Sequence, residues 1–175
     1  MKVGVYCAAS DKVEQKYKDV AYNLGKLIAQ KGHVLIYGGG NSGLMGEVAR
    51  GAEENKGHVL GVVPDFMSNF EPIFSGKANI LHTKTMAARK EIMEHNSDCI
   101  IILPGGIGTF DEFFQILTQK ELNRENDSLI LFDQDGFYDD LLNFMHMCAD
   151  KHFIQSFVFD LFKVVNSLEE IEAML

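Results

Sequence analysis

Short β-rich apolar runs alternate with longer segments of helical period along almost the whole chain, and few folds accept that pattern. The runs KVGVYCA (2–8), HVLIYG (33–38), HVLGVV (58–63), NILHTK (79–84), DCIIIL (98–103), SLILF (128–132) and LFKVV (161–165) read as strands. Several are apolar at consecutive positions, as strands buried on both faces of a parallel sheet are. The segments between them predict helices over 11–31, 43–55, 85–96, 109–122, 138–150 and 167–175. Such alternation builds right-handed βαβ units. The expected fold is therefore α/β, a doubly wound parallel sheet with helices on both faces. For 175 residues without repeat or linker, one domain over 1–175 is expected. The segment PDFMSNFEPIFSG (64–76) is the longest without a clear period. Loops of that kind are often functional, or hold a short helix.

A sheet of this type binds ligands beyond the carboxyl ends of its strands. Two glycine-rich corners fall there, YGGGNSGLMG after the second strand and LPGGIGT after the fifth. Glycine permits positive φ and close approach to the main chain, and a helix start offers unpaired N–H groups and partial positive charge. Together these make an anion site. In GGIGT, Gly105, Gly106 and Gly108 free the backbone and Thr109 adds a hydroxyl. The plain alternative is a tight turn with no ligand. The other corner fits G-x-G-x-x-G through Gly38, Gly40 and Gly43, with Gly39 between. The acidic residue about 20 positions on is Asp65, beyond Pro64 and poorly placed for a ribose, so a dinucleotide site is not favoured. No G-K-[ST] follows either corner, so neither is a P-loop.

The net charge is -9, with three arginines, Arg50, Arg89 and Arg124. This disfavours nucleic acid and anionic membranes as partners but allows a small phosphate ligand in a local pocket. No apolar run reaches membrane-spanning length. Cys7, Cys99 and Cys148 form no C-x-x-C pair, and a reduced, cytoplasmic setting is expected. The six histidines lack zinc-site spacing, and Ser42 does not sit in G-x-S-x-G, so neither a metal centre nor a serine nucleophile is expected.

Two charged residues stand out. Thr109-x-x-Glu112 matches a capping box at a helix start, a structural role for Glu112. However, Phe110, Phe113, Phe114 and Leu117 share one apolar face, which aims Glu112 elsewhere, toward the strand ends or solvent. Lys90 can pair with Glu94 at i+4. Arg89 has only Thr85, Met86, Ile92 and Met93 at those spacings. It either snorkels to water or reaches a distant carboxylate such as Glu112, or an anion. The methionines read as core fillers, and Met86 is a candidate wall of a base pocket.

PGGIGTFDE (104–112) resembles the P-G-G-x-G-T-x-x-E motif of the LOG ("lonely guy") family, and MAARK (86–90) resembles its M-x-x-R-K. YGGGNSGLMGEVA (37–49), GVVP (61–64), SDCIIILPGG (97–106) and GFYDDLL (136–142) extend the likeness from about residue 3 to about residue 155. The resemblance implies a Rossmann-like fold and a homodimer with sites near the interface. It implies a cofactor-free phosphoribohydrolase that cleaves the N-glycosidic bond of AMP or an N6-modified AMP, giving free base and ribose 5-phosphate. It implies Arg89 and Glu112 as the catalytic pair. Gly105, Gly106, Ile107, Gly108, Thr109, Phe110 and Asp111 would hold phosphate and ribose, with Lys90 beside them. Glu71, Met86 and Thr118 would contact substrate. The chain departs from the family at Ala87, Gln119, His152 and KELNRENDSL (120–129). These positions bear on base specificity and the interface.

Overall fold

The computed structural model describes residues 1–122 and 128–175. Among them, β1 (Lys2–Tyr6), β2 (Val34–Tyr37), β3 (His58–Pro64), β4 (Asn79–Thr83), β5 (Cys99–Ile102), β6 (Ser128–Phe132) and β7 (Lys163–Val165) form one sheet, ordered β4-β3-β2-β1-β5-β6-β7. Every ladder is parallel. The helices are α1 (Gln15–Gln30), α2 (Gly43–Glu54), α3 (Met86–His95), α4 (Ile107–Glu121), α5 (Asp139–Asp150) and α6 (Leu168–Met174). The expected doubly wound α/β fold is present. Strands run outward from β1 to β4, then resume at β5 on the other side of β1. The carboxyl ends of β1 and β5 therefore flank the switch point, where a crevice forms in open α/β sheets.

The apolar alternation sets the two faces. Val3, Val5, Leu35, Tyr37, Ile101 and Ile130 pack with Leu24 and Ile28 of α1, Val48 and Ala52 of α2 and Ile171 of α6. Tyr6, Ile36, Ile100, Ile102, Leu129 and Leu131 pack with Met93 of α3, Phe113 and Ile116 of α4 and Met145 of α5. Adjacent residues of β1 thus serve opposite layers, because side chains alternate across a strand. Each buried Val, Ile or Leu contributes about 1.5–3 kcal/mol, which accounts for the purely apolar β5.

Three details refine the sequence expectation. The segment 64–76 holds a short 3-10 helix, Asp65–Asn69, and then folds back onto the glycine corner after β2. Asn41 N–H donates to Pro72 O at 2.9 Å, Phe74 N–H donates to Gly39 O at 3.0 Å, and Gly40 bridges Ile73. Helix α1 starts four residues later than expected, leaving Asp11 free for another contact. Strand β7 is shorter than 161–165 because a 3-10 helix, Ser156–Asp160, runs up to a helical Leu161, and Phe162 packs into the core beside Phe113, ring centroids 5.4 Å apart. The family departure at 120–129 lies partly outside the described residues.

Candidate active site

The corner after β5 is built to expose main chain. Its base is fixed by Tyr138, whose buried hydroxyl donates to Leu103 O at 2.7 Å. Asp133 Oδ1 accepts from Tyr138 N at 2.6 Å and holds that tyrosine in turn. Helix α4 begins at Ile107 with Gly106 as N-cap and no side-chain cap. The first α4 amide satisfied from within is Phe110 N–H, on Gly106 O. Those of Ile107, Gly108 and Thr109 have no protein partner among the described residues. The capping-box reading of Thr109 and Glu112 is therefore corrected: Thr109 is already in the first turn and Glu112 in the second. The glycines there do not serve positive φ, which occurs at Gly39 and Gly43 instead. A Cβ at Gly106 or Gly108 would meet no protein atom within 4 Å, whereas one at Gly105 would strike Thr109. At Gly106 and Gly108 the protein itself makes no demand for glycine, and a ligand seated on the amides would.

This gives a prediction with opposite signs. Gly108→Ala removes backbone freedom from the unfolded chain and is expected to stabilise the fold by about 0.4–1 kcal/mol. It should also raise the KM for a phosphorylated ligand at least tenfold. Melting curves and steady-state kinetics on the same preparation check both.

The second glycine corner is already filled. Asp11 Oδ1 accepts from Gly43 N–H at 2.7 Å, and Ala8 O accepts from Leu44 and Met45 N–H. The bond from Gly43 holds the Asp11 carboxyl below its usual range. The start of α2 thus carries an internal anion, and of the two glycine corners that of α4 keeps free helix-start amides among the described residues. Gly39 (φ +77°) and Gly43 (φ +58°) shape the turn, and Gly38 faces the cavity.

Arg89 and Glu112 meet in the crevice. Arg89 Nη1 lies 2.7 Å from Glu112 Oε1, and Arg89 Nε donates to Val62 O at 3.2 Å. Arg89 is 8% exposed and Glu112 6%, so Arg89 reaches a distant carboxylate rather than snorkelling. The buried stripe of α4 is Thr109, Glu112, Phe113, Ile116 and Leu117. Its spacing matches the expected one, but its phase starts at Thr109, which turns Glu112 inward and leaves Phe114 exposed. Burial raises the Glu112 carboxyl above its ordinary value, while Arg89 opposes that rise. Lys90 Nζ bonds Asp111 Oδ2 at 2.9 Å, tying α3 to α4 beside the pair. One turn further along α3, Glu94 accepts from Gln115 of α4.

A cavity of about 320 Å³ opens over this pair. Its wall includes Glu71, Met86, Arg89, Gly106, Gly108, Thr109 and Glu112 from the expected set, together with Tyr6, Ser10, Met45 and Met67. Burial raises the Glu71 carboxyl, with Arg89 acting in the opposite sense. Other expected residues stand off the wall. The Ile107 side chain is 83% exposed, Phe110 packs edge-on to Tyr138, and Thr118 Oγ1 donates back to Phe114 O. Sequence reasoning missed Asp11, Asp133, Tyr138 and Tyr6. Tyr138 stands in the quoted GFYDDLL motif; nothing local in the sequence marks the other three.

A family model described as "possible lysine decarboxylase" matches residues 45–175. The cytokinin riboside 5′-monophosphate phosphoribohydrolase LOG2 of Arabidopsis thaliana is 33% identical over 155 residues, covering 89% of this chain and 73% of that protein. The chain belongs to the LOG family. A second LOG relative, cytokinin riboside 5′-monophosphate phosphoribohydrolase LOG of Oryza sativa subsp. japonica, is 34% identical, covering 87% of this chain and 63% of its own length. The solved molybdenum cofactor carrier protein of Chlamydomonas reinhardtii shares the fold, with a TM-score of 0.74 at 22% identity, covering 99% of this chain and 94% of that one. Among the described residues, no helix is long and apolar enough to cross a membrane, and no group of three or more His, Cys, Asp and Glu side chains is placed to hold a metal ion.

Proposed function

We propose that the protein is a nucleoside 5′-monophosphate phosphoribohydrolase acting on AMP or an N6-modified AMP. One observation carries this reading: a buried carboxylate on the cavity wall, bonded to an arginine, follows three unpaired amides on the same helix. Thr109 and Glu112 are separated by roughly 4.5 Å of helix rise, so one small phosphorylated ligand can reach both the amides and the carboxylate. The α4 amides hold the phosphate, assisted by the helix dipole. That contact places the anomeric carbon beside Glu112, so binding far from the reacting bond supplies orientation.

Cleavage of the N-glycosidic bond develops oxocarbenium-like charge on the ribose. The Glu112 carboxylate stabilises that charge and takes a proton from the attacking water. Water oxygen bonds to the anomeric carbon, the bond to the base nitrogen breaks, and its electron pair leaves with the base, which is then protonated. Arg89 fixes the carboxylate and contributes positive charge toward substrate oxygens. Met45, Met67 and Met86 supply an adaptable apolar wall for the base. The same reading includes a homodimer, supported by exposed Met86 on α3 and exposed Ile107 and Phe114 on α4.

The test is chromatographic release of free base from AMP, N6-isopentenyl-AMP and the matching unphosphorylated nucleosides. Only the monophosphates should be cleaved. The reaction needs ionised Glu112, so kcat/KM should fall as pH drops, with a midpoint above the ordinary glutamate value of 4.5. Glu71→Gln should leave that midpoint in place. Nucleotide binding without base release would favour a catalytically silent binding protein instead.

A further inference from the structure

Three buried side-chain polar atoms lack a hydrogen-bond partner among the described residues: Tyr6 Oη, Tyr37 Oη and Gln134 Oε1. Of these residues only Tyr6 belongs to the cavity wall that includes Arg89 and Glu112. Its position follows from strand alternation. Val5 and Cys7 face α1 and α2, so Tyr6 faces α3 and α4 at the carboxyl end of β1. The residue is 2% exposed. An orphaned buried hydroxyl costs about 1–3 kcal/mol, and Phe would fill the same apolar layer without that cost. Glu112 offers the complementary capacity: its Oε1 is bonded to Arg89 Nη1, and a carboxylate has further acceptor sites on both oxygens.

We propose that Tyr6 is a positioning residue whose hydroxyl donates to the Glu112 carboxylate in the nucleotide complex, so that Glu112 is gripped by Arg89 from α3 and by Tyr6 from β1. The inference rests on the phosphoribohydrolase reading of the site and adds a residue to it. The charged and titratable groups that feel Glu112 are then Arg89 and Lys90 of α3, Asp111 of its own helix, Tyr6 at the end of β1 and, from the opposite side of that strand, Cys7. Tyr6 itself faces Glu112, Glu94 and Arg89. Burial, then the two carboxylates, push its phenol well above the ordinary value, so it remains a protonated donor throughout the working range.

Tyr6→Phe removes the donor and nothing else. With a substrate that wild type cleaves, kcat should fall about 10–100-fold, the loss expected for one hydrogen bond to a charged group, with KM little changed. The acid limb of the pH profile should move upward, because the ionised carboxylate loses a donor. Melting temperature should hold or rise. A second readout is independent of turnover. Carbon NMR of glutamate-labelled protein saturated with ribose 5-phosphate, with Glu112→Gln used to assign the signal, should show Glu112 titrating at higher pH in Tyr6→Phe. Equal Glu112 titration in the two proteins overturns the proposal, as do unchanged kcat and acid limb. Failure of wild type to release base overturns the phosphoribohydrolase reading instead, and the titration still decides the role of Tyr6.

Discussion

Glu112→Gln is expected to lower kcat for base release by about 10²–10⁴-fold, the range attributed to a positioned acid or base, while the fold is kept with little change in stability. The second half of that expectation follows from the environment of the carboxylate. Glu112 sits between α4 and the cavity, and burial raises its pKa even with Arg89 at 2.7 Å. The ionised form is therefore held at a cost that Arg89 does not fully offset. Gln keeps the shape and an acceptor oxygen for Arg89 Nη1; it removes a buried charge held at a cost but leaves the Arg89 guanidinium without a counter-charge, and because these two effects oppose each other the melting temperature should change little. The amides of Ile107, Gly108 and Thr109 are untouched, and affinity for ribose 5-phosphate should change less than threefold. Glu112→Ala loses the same activity but leaves Arg89 unpaired, so it should melt lower than Glu112→Gln. Steady-state kinetics, calorimetric binding of ribose 5-phosphate and thermal melts separate these effects. Wild-type turnover in Glu112→Gln would remove the carboxylate from the chemistry, and the site would then be only a phosphate cradle.

How far the site was legible follows from which interactions are local. Strands and helices were recoverable because one chain carries both periodicities, and the parallel sheet followed from their alternation. The glycine corner after β5 was visible as a candidate anion corner for the same reason: its free amides lie within a few consecutive residues. The phase of α4 was not visible. Phe110, Phe113, Phe114 and Leu117 make a plausible apolar stripe, but the helix begins at Ile107 and buries Thr109 and Glu112 with Phe113 and Ile116. A buried glutamate breaks the apolar pattern that periodicity relies on, and only its distant partner, 23 residues back on α3, makes the burial tolerable. The sequence showed that Arg89 lacked a local carboxylate but left open where its guanidinium went. Nor could it distinguish the two glycine corners. Asp11, 32 residues before Gly43, fills one with the protein's own carboxylate, and that pairing exists only after folding.

The arginine gives the complementary prediction, because removing it takes away both the counter-charge and the hydrogen-bond donor that hold the buried Glu112 carboxylate. Arg89→Met should destabilise the protein by about 3–5 kcal/mol near neutral pH, the usual cost of breaking a buried pair from one side. It also takes a donor from Val62 O at the end of β3. The pH dependence fixes the cause. Without Arg89 the folded-state pKa of Glu112 climbs further above its unfolded value, so between those two values the native state binds more protons than the unfolded chain. Stability in the variant is then greatest below about pH 4.5 and is lost as pH rises through the folded pKa. Arg89→Met combined with Glu112→Gln has no charge left to strand and should recover most of the deficit, giving a coupling energy of at least about 2 kcal/mol, at or above the upper end of what contacting residues typically show. Both variants should be inactive, one for want of the guanidinium and the other for want of both groups. Arg89→Lys should not rescue turnover, because a single ammonium does not reproduce the fork that holds Val62 O and Glu112 together. Urea unfolding across the pH series measures all three proteins. A loss under about 1 kcal/mol that is flat with pH would mean that Glu112 does not depend on Arg89 for its charge, and the paired geometry would lose its mechanistic meaning.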